Sequence, residues 1–552
     1  MKNKYFKILM FFATIASIQG CIKRFEFDKL TKTQWSPDFA VPLVNSNLTL
    51  LDILNHYDST RSIVQEDPDG FLTLAFKGEL LSLKASDIVD LSDQNLNFDV
   101  DIPIQVLQAL QLQDSVELNI NQVIDFNFQD PNNPEENVLL DSVLFNGGNL
   151  SFRTNPNFQV NGDVTMSLNS AYNQQGNNIV IKKGLEFGAT SQDLRSSKMI
   201  ANINGDKNKL PLSFRIVLRK NQTQVINNAK IEFGITLQAM SFKSLYGYIY
   251  KRFLTPDTDT INMEAFSKLF KEQAQGATQF KIEDPKLKFI FENSYGLPVK
   301  CDLNGKVVAY YPADGTPNAN QSVNISLGPL DNPIIVDGPS VEEIGSSKRT
   351  EISLNKNNSG INTITDYITK FMTYRIDTET NPNGLIVTNF MTDESILTLN
   401  VEAEIPLEGY AINLRYTDTL DFAFDYDQVQ NLSLRLIAEN GFPADITMNF
   451  IPVDENFQPI LYADGTQFRL FTAANQSLFL KGGLVGADGK VNFTEKLISD
   501  YVISEEGFQL LKKTKFIIYE GDMNTSNGTN SIKIYSDYGI SIKMGAILGA
   551  KL

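Results

Sequence analysis

The stretch that decides the fold is Leu397-Thr398-Leu399-Asn400-Val401-Glu402-Ala403-Glu404-Ile405. Apolar and polar side chains alternate at every position, which gives a β-strand one apolar and one polar face and does not fit the period of a helix. Strands of this kind are typical of antiparallel sheets that turn one face towards a core. The alternation recurs at residues 432–436 and 540–544. The sequence therefore predicts a mainly β protein of antiparallel, β-sandwich-like modules with a few short helices.

Length and composition indicate a globular protein and exclude several kinds of chemistry. The chain has 552 residues, of which 42% are hydrophobic, and at roughly 100–200 residues per domain this predicts several folding units. One His and two Cys exclude His-rich or Cys-rich metal modules and a disulfide framework, and they disfavour Ser-His-Asp and Cys-His catalysis. The formal net charge of −17 argues against a nucleic-acid partner. No cofactor is predicted.

Two distant stretches, residues ~91–168 and ~394–450, match each other in order. Each contains a strand ending in Pro, a second strand, Asp-Phe-x-Phe, Asn-Leu-Ser-x-Arg and an Asp-Val-Thr-Met or Asp-Ile-Thr-Met run. Asn149 precedes Asp163, and Asn431 precedes Asp445, by the same 14 residues. An order-preserving match of this length predicts an internal duplication. The sequence also predicts a third related piece at residues 287–302, where an Asn, Gly and Pro break separates two strands.

The sequence also predicts an organisation along the chain. The predicted regions are a signal peptide (1–20), a tether (21–34), a first β region with repeat copy 1 (35–250), a helix plus β module (251–337), a linker (338–360) and a second β region with copy 2 (361–552). Apolar residues at helical spacing predict an amphipathic helix over 262–274. A second short helix is predicted around Glu505 to Lys512, before a strand that begins at Phe516.

The N-terminus has the pattern of a secretory signal. A basic head with Lys2, Lys4 and Lys7 precedes an apolar run over residues 8–18, which is too short to span a bilayer. The run ends in Ile18-Gln19-Gly20-Cys21, which resembles the lipobox of bacterial lipoproteins. That resemblance implies that Cys21 becomes the acylated first residue of the mature chain. The alternative is an ordinary signal peptide with a Cys near its cleavage site.

The first folded residues point to the same compartment. The stretch Trp35-Ser36-Pro37-Asp38-Phe39-Ala40-Val41-Pro42-Leu43-Val44, followed by Leu48-Thr49-Leu50-Leu51-Asp52-Ile53-Leu54, resembles the entry region of large outer-membrane lipoproteins of Bacteroidota. The resemblance covers about twenty residues and implies class and place, with no catalytic residues. It implies a bacterial outer-membrane location with a lipid anchor, and it leaves the periplasmic and extracellular faces both open.

Four triplets resemble the Asp-Ser/Thr-apolar acceptor of periplasmic O-glycosylation in Bacteroidota. The acceptor residues that this resemblance implies are Ser115, Ser142, Thr260 and Thr419. The alternative for each triplet is an ordinary boundary between a turn and a strand.

Other chemical groupings favour simple interpretations. His56 has no second imidazole nearby in the sequence, so a solvated turn residue is favoured over a metal ligand, and Cys301 is interpreted as a buried free thiol. Two acidic groups could hold Ca²⁺ but lack the EF-hand spacing, and solvated strand faces and loops are favoured there; these are Asp257 with Asp259, and Asp418 with Asp421, Asp425 and Asp427. The glycine-rich run 482–490 lacks the spacing of a phosphate loop and predicts a hairpin turn.

These observations favour a non-enzymatic envelope protein. The expected role is binding of another outer-membrane or surface protein, as an accessory subunit of an assembly, secretion or uptake complex. Two alternatives remain open at this point. Nineteen Tyr allow surface glycan binding, although a single Trp disfavours it, and a β cavity could carry an apolar ligand. A carboxylate-based glycosidase is the remaining enzyme alternative, because that chemistry needs no His.

Overall fold

The computed structural model confirms a mainly β, antiparallel architecture. It describes residues 38–49, 64–128, 138–262, 279–313, 316–366, 369–384, 387–412, 414–422, 429–471, 478–487, 489–526 and 528–550. The described helices are short: α1 (Ala85–Ile88), α2 (Ile104–Ala109), α3 (Asn362–Asp366) and α4 (Glu505–Leu511), with 3₁₀ turns η1 (Gly328–Asp331) and η2 (Val341–Glu343).

The strands follow one another along the whole chain. The first twelve are β1 (Asp38–Thr49), β2 (Val64–Glu66), β3 (Leu72–Lys84), β4 (Gln94–Asp101), β5 (Ser115–Asp125), β6 (Val138–Pro156), β7 (Gly162–Tyr172), β8 (Asn178–Gly184), β9 (Gly188–Asp193), β10 (Lys198–Ile200), β11 (Lys209–Arg219) and β12 (Lys230–Ile249). The next twelve are β13 (Phe253–Leu254), β14 (Asp259–Asn262), β15 (Gln279–Ile282), β16 (Lys286–Asn293), β17 (Val299–Asp302), β18 (Val308–Ala313), β19 (Thr316–Asn324), β20 (Ile334–Val336), β21 (Lys348–Leu354), β22 (Phe371–Tyr374), β23 (Asp377–Thr380) and β24 (Asn389–Thr392). The last twelve are β25 (Ile396–Pro406), β26 (Glu408–Ile412), β27 (Leu414–Asp421), β28 (Val429–Asn440), β29 (Ala444–Val453), β30 (Leu478–Leu480), β31 (Leu484–Val485), β32 (Val491–Phe493), β33 (Glu495–Ile503), β34 (Phe516–Thr525), β35 (Ile532–Lys533) and β36 (Gly539–Ala550).

The inner module consists of β4 to β12 and has two four-stranded layers. One layer has the order β4-β12-β6-β9, and the other has the order β5-β11-β7-β8. The short strand β10 pairs with both β6 and β7 and so joins the layers. Four phenylalanine rings meet between the layers. Phe214 of β11 lies 5.4, 5.9 and 5.2 Å from the rings of Phe98, Phe152 and Phe233 of the other layer.

The middle module repeats this arrangement with β3 and the strands from β13 to β25, except β15, which pairs with β26, and β24, which pairs with β12. One layer has the order β3-β25-β16-β21, with β2 added beside β3. The second layer is interrupted, so each of its four long strands is replaced by two short ones. The two halves have the orders β13-β23-β17-β20 and β14-β22-β18-β19.

The outer module consists of β1 and the strands from β27 to β36, except β35, which pairs with β26. Its layers have the orders β1-β36-β28-β33 and β27-β34-β29-β30. Pairing of β1 with β36 brings the first and last described strands of the chain together. The strongly alternating pattern at residues 540–544 falls in β36, and the pattern at 432–436 falls in β28, as predicted.

All three modules have the same topology. When the eight strand positions of each module are numbered along the chain, the layers are 1-8-3-6 and 2-7-4-5, which is the arrangement of a jelly roll. The modules are nested in sequence, because the inner module follows the first strand of the middle one, and both follow the first strand of the outer one. This confirms an internal repeat and increases the number of copies from two to three.

One strand of the predicted duplication requires correction. The match of copy 1 with copy 2 equates β5, β6 and β7 with β27, β28 and β29, which do occupy the same positions in their modules. It also equates β4 with β25. However, β4 is a first strand and β25 is the last strand of the middle module. First and last strands lie side by side in a jelly roll and carry the same alternation, so the sequence pattern does not distinguish them.

The nested order also replaces the contiguous regions predicted from the sequence. The described residues of Leu51–Leu414 and Asn527–Ser536 form one compact unit, which contains the inner and middle modules. The outer module belongs to a second unit. Residues 338–360 are not a linker, because they contain β21, which pairs with β16 from Leu287↔Leu354 to Asn293↔Lys348. β21 is an edge strand rich in charged residues, and this composition hides it in the sequence.

The two predicted helices have different outcomes. The helix predicted near Glu505 is confirmed as α4, whose first turn is capped by the Ser504 hydroxyl accepting a hydrogen bond from the Gly507 N–H. The amphipathic helix predicted over 262–274 lies, apart from its first residue, outside the described residues.

A buried asparagine closes the same turn in two modules. Asn293 ends β16, and its Nδ2 donates to the carbonyls of Leu297 (3.0 Å) and Val336 (3.2 Å), while its Oδ1 accepts from the Tyr295 N–H (2.9 Å). Asn440 ends β28 and makes the corresponding three bonds at 2.8, 3.0 and 2.9 Å. Both side chains are fully buried. The Asn, Gly and Pro break predicted as a related piece is therefore a shared turn.

Candidate interaction surface

The predicted lipidation residue Cys21 and the single His56 lie outside the described residues. Their roles stay predictions based on the sequence.

The four implied glycosylation residues differ in accessibility. Ser115 begins β5 and is exposed, and Thr260 in β14 and Thr419 in β27 are exposed as well. Ser142 is half-buried inside β6, where it stands opposite Tyr246 of β12 and Ile200 of β10. An enzyme that acts on the folded chain would reach the first three more easily. Glycosylation stays a prediction at all four.

The acidic groups do not form a cation site in the part of the chain that the structure describes. No three His, Cys, Asp or Glu side chains there lie in a metal-binding arrangement. Both carboxylate oxygens of Asp259 are already used, because one accepts from the Thr260 N–H and the other from the Tyr374 hydroxyl. Asp421 is exposed at the end of β27, whereas Asp425 and Asp427 lie outside the described residues.

Cys301 is a free, buried thiol, as predicted. It lies in β17 between β20 and β23, with 1% of its surface exposed. Burial raises the pKa of this thiol to about 12, so it stays protonated at neutral pH and is a poor nucleophile.

Among the described residues, Glu379 is a buried carboxylate that takes part in a structural ion pair. Glu379 of β23 bonds Lys300 through one oxygen (2.8 Å) and Lys251 through the other (3.1 Å). Burial opposes ionisation of this carboxyl, but the two ammonium groups outweigh it and lower its pKa. A carboxylate held ionised by two lysines is unsuited to act as a general acid.

A hairpin of the outer module carries exposed apolar side chains. The predicted hairpin at 482–490 is confirmed as β31 and β32, in which Leu484 stands directly opposite Phe493. Leu484 is half exposed, and Phe493 is 71% exposed. We call Leu484, Val485 and Phe493 the apolar hairpin. Apolar side chains grouped in this way on a surface typically mark an interaction site.

The strand after the hairpin also carries exposed apolar side chains. β33 pairs with β28 and ends its sheet, and it carries Ile498 (57% exposed) and Val502 (76% exposed) on its outward face. The two strands at the same position in the other modules are β9 and β21. Their outward side chains are polar or small, such as Ser191 in β9 and Glu351 in β21. Exposed apolar side chains on the strand at this edge position are therefore specific to the outer module and are not required by the jelly-roll topology.

Charged residues lie on both sides of Ile498 in β33. Lys496 pairs with Glu439 of β28 (2.8 Å), and Asp500 accepts two bonds from Arg435 at 2.6 and 2.7 Å. These pairs stand directly opposite each other across the two strands, on both sides of the Ile437 and Ile498 pair.

This surface is not predicted from the sequence. Its signal was present in residues 495–503, where apolar residues occupy both faces, since Leu497 and Ile498 are adjacent, as are Tyr501 and Val502. Strands with apolar residues on both faces are normally buried on both sides. Here the outward face is exposed, and the pattern marks a surface instead.

No described helix is long and apolar enough to cross a bilayer.

Comparison with known proteins does not assign a family. No protein-family model and no curated protein matches the chain. Among solved structures, a candidate secreted protein from Parabacteroides distasonis is similar over 55% of this chain and 89% of its own, at 11% identity and a TM-score of 0.29. A candidate secreted protein from Eubacterium rectale is similar over 52% and 69%, at 10% identity and a TM-score of 0.08. A triple jelly-roll protein of an archaeal virus turret is similar over 79% and 91%, at 11% identity and a TM-score of 0.10. Similarities at scores this low do not indicate a function for this chain.

Proposed function

We propose that this chain is a non-enzymatic, lipid-anchored protein of the bacterial outer membrane that binds another envelope protein as an accessory subunit. The observation that carries the binding role is the exposed pair of Leu484 and Phe493 on the apolar hairpin. Exposing such side chains to water is unfavourable by about 25 cal/mol per Å² of apolar surface, and a partner that covers them recovers this free energy. The lipobox-like ending at Cys21 supports the anchor.

The length of the tether keeps the outer module near the membrane. Sixteen residues lie between Cys21 and Asp38, where β1 begins. A chain of this length spans at most about 60 Å when fully extended. Confinement within that distance raises the effective concentration of the module for a partner in the same membrane.

The hairpin lies at the far end of the outer module from the tether. Asp38 stands opposite Gly549 at one end of the sheet, whereas Thr49 stands opposite Gly539 at the other. Glu495, two residues after the hairpin, lies at the Thr49 end, because it pairs with Asn440. At about 3.3 Å per residue, the two ends are roughly 36 Å apart.

A double substitution tests the binding surface. We expect L484S/F493S to recover about ten-fold less of a stoichiometric partner than the parent chain, after purification in mild detergent without crosslinking. The control is Phe187→Ser in the inner module, where the side chain is equally exposed (71%). Equal recovery by parent, control and double variant would exclude the hairpin, and repeated recovery of the protein alone would contradict the accessory role.

The anchor has its own test. We expect the mature N-terminal peptide to begin at Cys21 and to carry acyl chains in mass spectra, and we expect Cys21→Ala to abolish this modified species. Since one acyl chain gives only marginal membrane binding, at least two chains are expected. Recovery of the parent chain free in the medium with an unmodified Cys21 would overturn the proposed location.

A further inference from the structure

The outward edge of β33 has the properties of a self-pairing strand. β33 has nine residues and pairs only with β28 among the described strands, so one side of its backbone has no neighbouring strand there. An unpaired edge offers N–H and C=O groups to any extended segment. The side chains of β33 are complementary to those of a second, antiparallel copy of the same strand.

We propose that two copies of this chain form a two-fold symmetric dimer in which β33 pairs antiparallel with β33 of the second copy, centred on Ile498. This inference goes beyond the proposed function and does not depend on it.

The register follows from geometry and charge. In an antiparallel pair, directly opposite residues have side chains on the same face, so the symmetry axis passes through a residue pair. Centring on Lys496 or on Asp500 would place like charges opposite each other. Centring on Leu497 or Ser499 would place Ile498 opposite a charge. Only centring on Ile498 places Ile498 opposite itself and Lys496 opposite Asp500 of the second copy, on both sides of the axis.

The ion pairs already present extend this match across both copies. Glu439 and Lys496 stand opposite each other in one copy, and Asp500 and Arg435 stand opposite each other in the next. Across the joined sheets, Glu439 and Lys496 of one copy and Asp500 and Arg435 of the other would therefore form a row of four charges of alternating sign. Two-fold symmetry produces two such rows. Between these rows, Ile437 and Ile498 of both copies form an apolar row of four. Opposite charges and apolar pairs across strands stabilise a sheet, whereas like charges destabilise it.

The dimer is compatible with two lipid anchors. β33 and β1 are opposite edges of the same sheet, so pairing through β33 leaves β1 and the tether free. A two-fold axis along the membrane normal places both Asp38 residues at the same height, which allows both acyl groups to enter one leaflet.

Disulfide trapping in intact cells tests the register. Ile498→Cys in the full chain places two thiols about 5 Å apart at their Cβ atoms across the axis. Mild oxidation should then give a disulfide-linked dimer on a non-reducing gel. The matched control is Val502→Cys, which is more exposed and lies on the same face of the same strand. Val502 would face Thr494 of the second copy, and its own counterpart would be about 26 Å away. We expect at least about five-fold more dimer from I498C than from V502C.

The parent chain, treated identically, gives the background from its own cysteines, of which Cys301 is buried. Equal crosslinking by I498C and V502C would overturn the proposed register. Failure of I498C to crosslink while its thiol reacts with maleimide would overturn the dimer. Either result would leave co-purification of a membrane partner unaffected, so it is distinguishable from failure of the proposed function.

A charge reversal gives a second measurement that needs no thiol. Asp500→Lys places a lysine opposite Lys496 of the other copy on both sides of the symmetry axis. We expect the affinity of dimerisation, measured by light scattering in detergent, to fall about ten-fold. Glu455→Lys is the control, because it makes the same change of charge at an exposed residue between β29 and β30, which belong to the other layer of the module. A monomeric parent chain, or equal dimerisation by parent and D500K, would contradict the proposal.

Discussion

Replacing Asn440 by alanine is expected to lower the free energy of unfolding of the outer module by about 4 kcal/mol. The substitution removes few atoms, but it leaves two carbonyls, of Ala444 and Lys481, and the N–H of Phe442 without the partner that the side chain supplies. Each buried polar group without a partner costs about 1–3 kcal/mol. Asn440→Asp should be more damaging still, because it places a carboxylate against two carbonyl oxygens.

Hydrogen exchange measured by mass spectrometry localises this effect. Peptides from β28 and β29 should lose protection in N440A, whereas peptides from the inner module should keep it, because that module belongs to the other compact unit. The matched control is Asn456→Ala in the same module, where the side chain is exposed. A protection loss in N440A no larger than in N456A would contradict the structural role assigned to the turn.

The equivalent turn in the middle module should respond in the same way. Asn293→Ala should expose peptides from β16 and β17, with Asn304→Ala as the exposed control. Similar losses at two sites far apart in the sequence would be physical evidence that the repeat is real, because the shared feature is a pattern of three hydrogen bonds and not residue identity.

The sequence predicts local features of this protein well and long-range ones poorly. Alternation in residues 397–405 identifies β25 and its buried face correctly, because the side-chain period of a strand is a local property. The nested order of the three modules cannot be predicted from the alternation of side chains along each strand. β1 pairs with β36 across almost the whole chain, and nothing in the alternation of either strand specifies that partner.

The candidate surface was harder to predict than the fold for a physical reason. Exposure of Ile498 depends on β33 being the last strand of its sheet, and edge position is a property of the assembled sheet. The same logic explains the misassigned linker. β21 occupies the same edge position but protects it with charged side chains, so its composition resembles that of a loop.

The largest single effect is expected at Phe214. It lies on β11 and inserts between three rings of the opposite layer, stacking on Phe233 with an interplanar angle of 6°. Phe214→Ala should destabilise the inner module by about 5 kcal/mol, because it creates a cavity and removes ring contacts worth roughly 0.5–1.5 kcal/mol each. Phe214→Leu keeps most of the volume and should cost considerably less.

Denaturant unfolding followed by hydrogen exchange separates a core defect from a general loss of stability. In F214A, peptides from β11 and β12 should exchange early, while peptides from β28 in the outer module should match the parent. Phe187→Ala removes an equally large ring from the same module, but that ring is 71% exposed, so its effect should stay within about 0.5 kcal/mol. If F214A and F187A behaved alike, the two layers of the inner module would not be held together by the ring cluster. The jelly-roll core would then have to depend on its aliphatic side chains.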